Sequence, residues 1–283
     1  MEGNARRLVV PAPAKLNAFL HVTGRRRDGY HTLESLFVAI DLADRIELVD
    51  RDDGAIVRAG GLESVAVHDD LTLRAARALR EAVRVPRGVA IRVDKRIPMG
   101  AGLGGGSSDA ASVLLALNRL WSLGLTREAL MRVGATLGAD VPFFLGAGPA
   151  LARGTGDVLT PMTVPTAWIA LAMPRAHVPT ARIFASAELT RSTPSAKMDV
   201  FSEGYGHNDL EAVAAAAFPP VGLALHAMRR ASALARMTGS GACVFAPFDA
   251  ERDARRALEA LPADLPACVV RTLARHPLAA FAC

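Results

Sequence analysis

Three short stretches carry residue types that could do chemistry. Residues 98 to 111 read PMGAGLGGGSSDAA, with five glycines in seven positions, then Ser107, Ser108 and Asp109. Glycine ahead of a helix costs backbone entropy, and it is justified where the chain turns tightly or bare backbone must approach a ligand. A strand, a glycine loop and a helix N-terminus together form a phosphate-binding arrangement, because unpaired N–H groups and the positive end of the helix dipole face the anion. The second stretch is APAKLNAF, where Lys15 interrupts an apolar strand. The chain has only three lysines, Lys15, Lys95 and Lys197, so its position is informative, although an edge-strand lysine turned to solvent has the same pattern. The third is GADVPFF, where Asp140 is either an available carboxylate or a turn aspartate ahead of Pro142. Phosphoryl transfer asks for a phosphate cradle, a cation near the transferred group and a carboxylate for the attacking hydroxyl. These stretches offer one candidate for each.

Several phosphate-binding classes are excluded. No Gly-Lys pair occurs in the chain, which rules out the Walker loop. Gly100-x-Gly102-x-x-Gly105 matches GxGxxG, but WSLGLTREAL follows the helix instead of a second strand ending in an acid. There is no HRD loop and no DFG, so a eukaryotic-type protein kinase is excluded. Asp109 is the rival carboxylate to Asp140, but its place directly after the serines reads as an acidic residue favoured near a helix N-terminus.

Two other segments are candidates for ligand contact. RRRDGYHT places Tyr30 and His31 on a loop, where a Tyr-His pair can hold a pyrimidine by stacking and edge bonds; a plain surface Asp-Gly-Tyr turn reads the same way. MTGSGACVF places Gly239, Ser240 and Gly241 on a second glycine turn, which is either a simple left-handed turn or a closure over ligand.

The elements that must position these residues are read from pattern. RLVVPAPAKLNAFLHVT holds β-formers and a proline pair, as an edge strand tolerates. LESLFVAIDLADRIELVD reads as strand, turn, strand. TLRAARALREAVR sets Leu73, Ala76, Leu79 and Val83 on one helical face, with Thr72 or Asp70 as cap. GVAIRVDKRIP alternates like a strand and leads into the glycine loop, after which SSDAASVLLALNRLW continues as a helix. TREALMRVGATLG is a helix capped by Thr126. TPMTVPT near 160 to 166 reads as a connector, AWIALAMP as a strand, HNDLEAVAAAAF and GLALHAMRRASAL as helices, ERDARRALEAL as a helix and ACVVRTLA as a closing strand. Strands and helices mix without steady βαβ alternation, which predicts an α+β class with two helix-covered sheets.

At 283 residues and 51% hydrophobic, the chain can bury a sizeable core in one large or two modest domains. No apolar run approaches the ~20 residues of a membrane span. The N-terminus lacks the long apolar stretch of a signal peptide, so a cytoplasmic enzyme with no membrane partner is expected. The net charge of +5 suits phosphate-bearing ligands. Nucleic-acid binding would need a basic stripe interleaved with aromatics, and that is absent. Cys243, Cys268 and Cys283 are odd in number and far apart, and they read as buried free thiols.

The glycine loop resembles the signature of the GHMP small-molecule kinases. Within that family the chain is similar to the branch whose substrate is a methylerythritol carrying a cytidine diphosphate. The likeness runs over nearly the whole length in ordered motifs: PAKLNAFLHVTGRRRDGYHTLESLF at 13 to 37, the loop at 98 to 111, GADVPFFL at 138 to 145, PTARIF at 179 to 184, HNDLEA at 207 to 212 and MTGSGACVF at 237 to 245. It implies two domains: a nucleotide-binding domain of the ribosomal-protein-S5-domain-2-like fold over 1–160 and a C-terminal GHMP-kinase α+β domain over 161–283.

The resemblance also implies transfer of the γ-phosphate of ATP, with Mg²⁺, to the 2-hydroxyl of the methylerythritol unit, a step of the non-mevalonate route to isoprenoid precursors. Asp140 is then the base and Lys15 its charge-stabilising partner. Pro98, Met99, Gly100, Ala101, Gly102, Leu103, Gly104, Gly105, Gly106, Ser107 and Ser108 form the ATP site, with Ser108 toward the metal. Asn17, Tyr30, His31, Phe184, Gly239, Ser240 and Gly241 contact the substrate, with Tyr30 and Phe184 on the two faces of the cytosine. A monomer or weak homodimer is expected. Where the family commonly carries asparagine beside the adenine pocket, this chain reads Asp69-Asp70-Leu71. Rival readings are a mevalonate- or homoserine-type GHMP kinase, which needs no stacking pair, and a non-catalytic nucleotide-binding regulator, which should lack the lysine or the base.

Overall fold

The computed structural model describes residues 6–195 and 205–282. Two long strands form its spine. β1 (Arg7–Arg25) and β2 (His31–Arg51) pair antiparallel along nearly their whole length. β2 also pairs with β4 (Gly88–Asp94) through its C-terminal part and with β5 (Ala150–Arg153) through Ser35 to Phe37. β3 (Ile56–Gly60) adds in parallel to β4, and β6 (Val158–Pro161) adds to β5. β1 therefore lies at an edge, which is why Pro11 and Pro13 are tolerated within it.

The expected turn inside 33–50 does not form. β2 runs on, and Ile40, Asp41 and Leu42 bulge out opposite Ala14, between the pairs Pro13–Ala43 and Lys15–Ala39. The bulge is held from outside: Ile40 bridges to Thr272, and Asp41 accepts from the Arg271 amide at 2.8 Å.

Four helices cover this sheet: α1 (Leu71–Val83), α2 (Gly105–Leu120), α3 (Arg127–Ala135) and α4 (Val141–Leu145). Leu73, Ala76 and Leu79 of α1 are buried, and Val83 is partly so. Asp70, not Thr72, caps α1; its carboxylate accepts from the Thr72 amide at 2.9 Å. Thr126 caps α3 as expected. α2 starts at Gly105, earlier than Ser107, and it is buried nearly all round because its alanines and serines admit close neighbours.

A second sheet has the order β10 (Ala267–Arg271), β7 (Trp168–Ala172), β9 (Val244–Phe248), β8 (Arg236–Met237), all antiparallel. Its helices are α5 (Thr180–Ala185), α6 (Glu211–Ala217), α7 (Pro219–Ala231) and α8 (Glu251–Glu259). The content is α+β. The chain then returns to the first sheet's helices: His276 donates its amide to the Ala147 carbonyl, Leu278 enters that core, and the Phe281 carbonyl accepts from Asn118. Cys243 is buried and Cys268 half-buried, both free thiols, with burial pushing the Cys243 thiol up to about 12. Cys283 lies outside the described residues. No helix among them is long and apolar enough to cross a membrane.

Candidate active site

The glycine loop crosses between the two sheets. Gly102 and Gly104 adopt φ of 77° and 70°, left-handed backbone that favours glycine. A Cβ on Gly102 would stand 2.6 Å from the Thr238 carbonyl oxygen, and one on Gly104 would press on Phe144 at 3.0 Å and on Lys15 Cγ at 3.1 Å. The loop thus needs glycine to touch the second glycine turn and Lys15, as well as to expose backbone. It is tied in place by the Lys15 amide donating to the Leu103 carbonyl at 2.9 Å. The second turn is tied to β1 by Thr238 Oγ1, which accepts from the Asn17 amide at 2.8 Å.

Pro98 through Ser107 line a cavity of about 360 Å³, together with Leu62, Asp70, Leu71, Lys95 and Asp109. The first amides of α2, on Gly105, Gly106 and Ser107, have no intrahelical partner and open on this space. Ser108 is not on the wall. It is fully buried, and its hydroxyl donates to the Pro13 carbonyl at 2.6 Å. Ser108, expected toward the metal, thus turns away from the cavity, and the hydroxyl that faces it is that of Ser107, whose Oγ lies beside Gly138, in the turn that leads to Asp140. The helix phase decides this: consecutive residues point about 100° apart.

Lys95 and Asp109 form a cluster that motif reading missed. The Lys95 ammonium bonds the Asp44 carboxylate and, at 2.8 Å, Asp109 Oδ2. Burial raises the Asp109 carboxyl, with Asp44 adding to the rise and Lys95 opposing it. Burial disfavours the Lys95 ammonium, yet the Asp109 and Asp44 carboxylates outweigh it and raise its pKa. Asp109 is thus spent on an ion pair instead of the helix N-terminus. The lysine scarcity that singled out Lys15 applies equally to Lys95, and it was the available signal.

At the other side of Gly102 and Gly104 the trough continues into a cavity of about 280 Å³ lined by Lys15, Asn17, Ser35, Asp140, Thr180, Phe184, Gly239 and Ser240 among others. Lys15 Nζ stands 3.6 Å from Asp140 Oδ2, donates to Asn17 Oδ1 at 2.6 Å, and lies 4.6 Å from the Phe37 ring centroid. Asn17 in turn donates to Ser35 Oγ at 2.7 Å, which donates to the Phe19 carbonyl. This relay fixes the buried ammonium. Asp140 sits at the N-cap position of α4 without capping it, and its side chain is one-third exposed. Thr180 and Ser240 hydroxyls meet at 2.7 Å across the opening. Gly241 is buried toward Met237 and does not reach this wall.

Leu33, Thr155, Thr180 and Phe184 are shared with a third, wider cavity that adds Arg25, Tyr30 and His31. His31 stacks directly on Phe184, centroids 5.1 Å apart and planes at 24°, so no ring enters between them. Tyr30 is exposed on the same wall. The His31 imidazole has its pKa lowered by burial and by Arg191 and Arg25 nearby.

Among the described residues no group of three or more His, Cys, Asp or Glu could hold a metal. The walls offer separate oxygens, such as the Ser107 hydroxyl in one cavity and the Asp140 carboxylate in the next, and no cluster. That sparse oxygen set suits an ion that keeps water and phosphate oxygens in its shell.

Two family models match the chain: GHMP kinases N terminal domain over residues 70–148 and GHMP kinases C terminal over 190–267. Its sequence is 55% identical over 271 residues to the 4-diphosphocytidyl-2-C-methyl-D-erythritol kinase of Thiobacillus denitrificans, covering 96% of this chain and 97% of that one. It is 51% identical to the protein of the same name from Dechloromonas aromatica, covering 95% and 98%. A crystal structure of 4-(cytidine 5'-diphospho)-2C-methyl-D-erythritol kinase superposes with a TM-score of 0.81 at 37% identity, over 94% of this chain and 99% of that one. A homoserine kinase from Cytophaga hutchinsonii, with a TM-score of 0.68 at 16% identity over 98% and 97%, shares the fold.

Proposed function

Since the chain belongs to the GHMP kinases, and within them to the 4-diphosphocytidyl-2-C-methyl-D-erythritol kinases, we propose that the three joined cavities hold donor, reacting atoms and cytidine in that order. The protein is a small-molecule kinase that uses ATP to phosphorylate 4-diphosphocytidyl-2-C-methyl-D-erythritol in isoprenoid precursor synthesis. The acceptor is the 2-hydroxyl. Its oxygen attacks the γ-phosphorus, the bond to the β–γ bridging oxygen breaks, ADP leaves with that electron pair, and the hydroxyl proton passes to Asp140. Lys15 offsets charge on the transferring group and orients Asp140. The amides of Gly105 to Ser107 hold phosphate oxygens. Mg²⁺, held mostly by ATP oxygens and water with the Ser107 hydroxyl, would neutralise phosphate charge. Tyr30, His31 and Phe184 form the cytosine end, and Asn17, Gly239 and Ser240 flank the diphosphate. An S5-domain-2-like nucleotide unit over 1–160, a partner unit over 161–283 and a monomer or weak dimer complete the reading.

The observation that carries this reading is the Lys15–Asp140 pair, set where the glycine-lined cavity opens toward the aromatic one. One assay tests it: ATP and magnesium with the cytidyl substrate, mevalonate and homoserine side by side. Phosphorylation of the cytidyl substrate alone is expected. Comparable turnover of either small acceptor overturns the reading.

A further inference from the structure

Arg191 is half-buried beside the aromatic cavity and belongs to no motif discussed so far. Its guanidinium donates to three carbonyl oxygens: Leu189 at 2.9 Å, Phe184 at 3.1 Å and Ser186 at 2.5 Å. The Phe184 and Ser186 bonds both come from Nη2, and these three carbonyls fix the fork rigidly against the end of α5. The third nitrogen, Nε, donates to His31 Nε2 at 3.0 Å. Arginine has donors only and stays charged. The ring nitrogen facing it must therefore present a lone pair, which leaves the hydrogen of a neutral imidazole on Nδ1.

We propose that Arg191 is a positioning residue for the cytidine site: it braces the Phe184 backbone and the His31 ring together and holds His31 neutral as the Nδ1–H tautomer. This rests on the functional reading above for what the wall binds, but not for the brace itself. Three observations agree. His31 and Phe184, remote in sequence, lie nearly parallel in contact. One guanidinium touches both of them. The charged groups facing the imidazole, Arg191 and Arg25, are both cations, so protonation of His31 is opposed from α5's following loop and from β1. Without Arg191 the ring would turn freely about its side-chain torsions and accept a proton more readily, and the wall would lose both its shape and its fixed donor.

The test uses the full chain with R191M and R191K. With ATP and the cytidyl substrate at pH 8, R191M should raise KM for the cytidyl substrate about tenfold while KM for ATP and kcat move less than about twofold. R191K, with one cationic donor, should recover part of the loss. At pH 6 the R191M defect should widen, because its His31 protonates nearer the ordinary pH. Nitrogen-15 histidine spectra of the wild type should show His31 as the Nδ1–H tautomer, titrating below the free-histidine range, and in R191M titrating higher. An Nε2–H tautomer in the wild type overturns the proposal, as does an R191M enzyme whose two KM values and kcat all worsen alike. If R191M does not fold, R191K and the wild-type spectrum still decide. If the wild type does not turn over the cytidyl substrate, the functional reading falls, and the spectrum judges the brace independently.

Discussion

Lys15 comes from the edge strand β1 and Asp140 from the cap of α4, yet their charged atoms stand 3.6 Å apart in one cavity. The ammonium is nearly sealed and the carboxylate is open. That asymmetry suits the roles proposed above, a fixed cation and a proton-accepting carboxylate.

Asp140→Asn keeps size and removes the proposed proton acceptor. Single-turnover phosphorylation should slow by about 10²- to 10⁴-fold, with nucleotide affinity nearly unchanged. Undiminished turnover would instead favour a base elsewhere in the trough.

Gly104→Ala places a methyl group against Phe144 and Lys15 Cγ at a φ of 70°. The left-handed backbone alone costs about 1–2 kcal/mol. Urea unfolding should show at least that loss, and ATP affinity should fall because the start of α2 must shift.

Lys95→Met leaves the Asp44 and Asp109 carboxylates, both buried, without their shared cation. Breaking such a pair costs about 3–5 kcal/mol. The triple variant adding Asp44→Asn and Asp109→Asn should recover much of it in denaturant titration, since no charge then remains buried unpaired.

His276 is 5% exposed, and burial, with Arg127 adding to it, lowers its pKa to about 4 from 6.5. The unfolded chain binds a proton there that the folded chain refuses, so this contribution is intact above pH 6.5 and is lost as pH falls toward 4. The stability difference between pH 7 and pH 5 should include about 2 kcal/mol from this residue. His276→Gln should flatten that part of the curve, and an unchanged slope would show that another group sets it.

Much of the site was legible because its chemistry is local in sequence. The glycine loop sits on consecutive residues, so its amides and its helix are read together. Lys15 stands out by rarity, and Tyr30 and His31 by their turn. The reading failed where direction depends on a neighbour. Ser107 and Ser108 are chemically identical, and only the phase of α2 against Pro13 assigns one hydroxyl to the cavity and the other to a carbonyl. The expected turn in β2 became a bulge because Asp41 found the Arg271 amide. Asp109 went to Lys95, and Arg191 carried no local signature at all.

The order of residues alone determined the α+β class, most of the longer helices, the glycine loop ahead of a helix and the candidate lysine and aspartate, because turn chemistry, apolar period and residue rarity all act within a few positions. The tertiary structure alone decided which glycines must lack a side chain, which serine faces the cavity, which carboxylates share Lys95, and that Arg191 joins His31 to Phe184. Those outcomes depend on contacts between distant segments, where packing leaves room for one arrangement and every buried charge must find its partner.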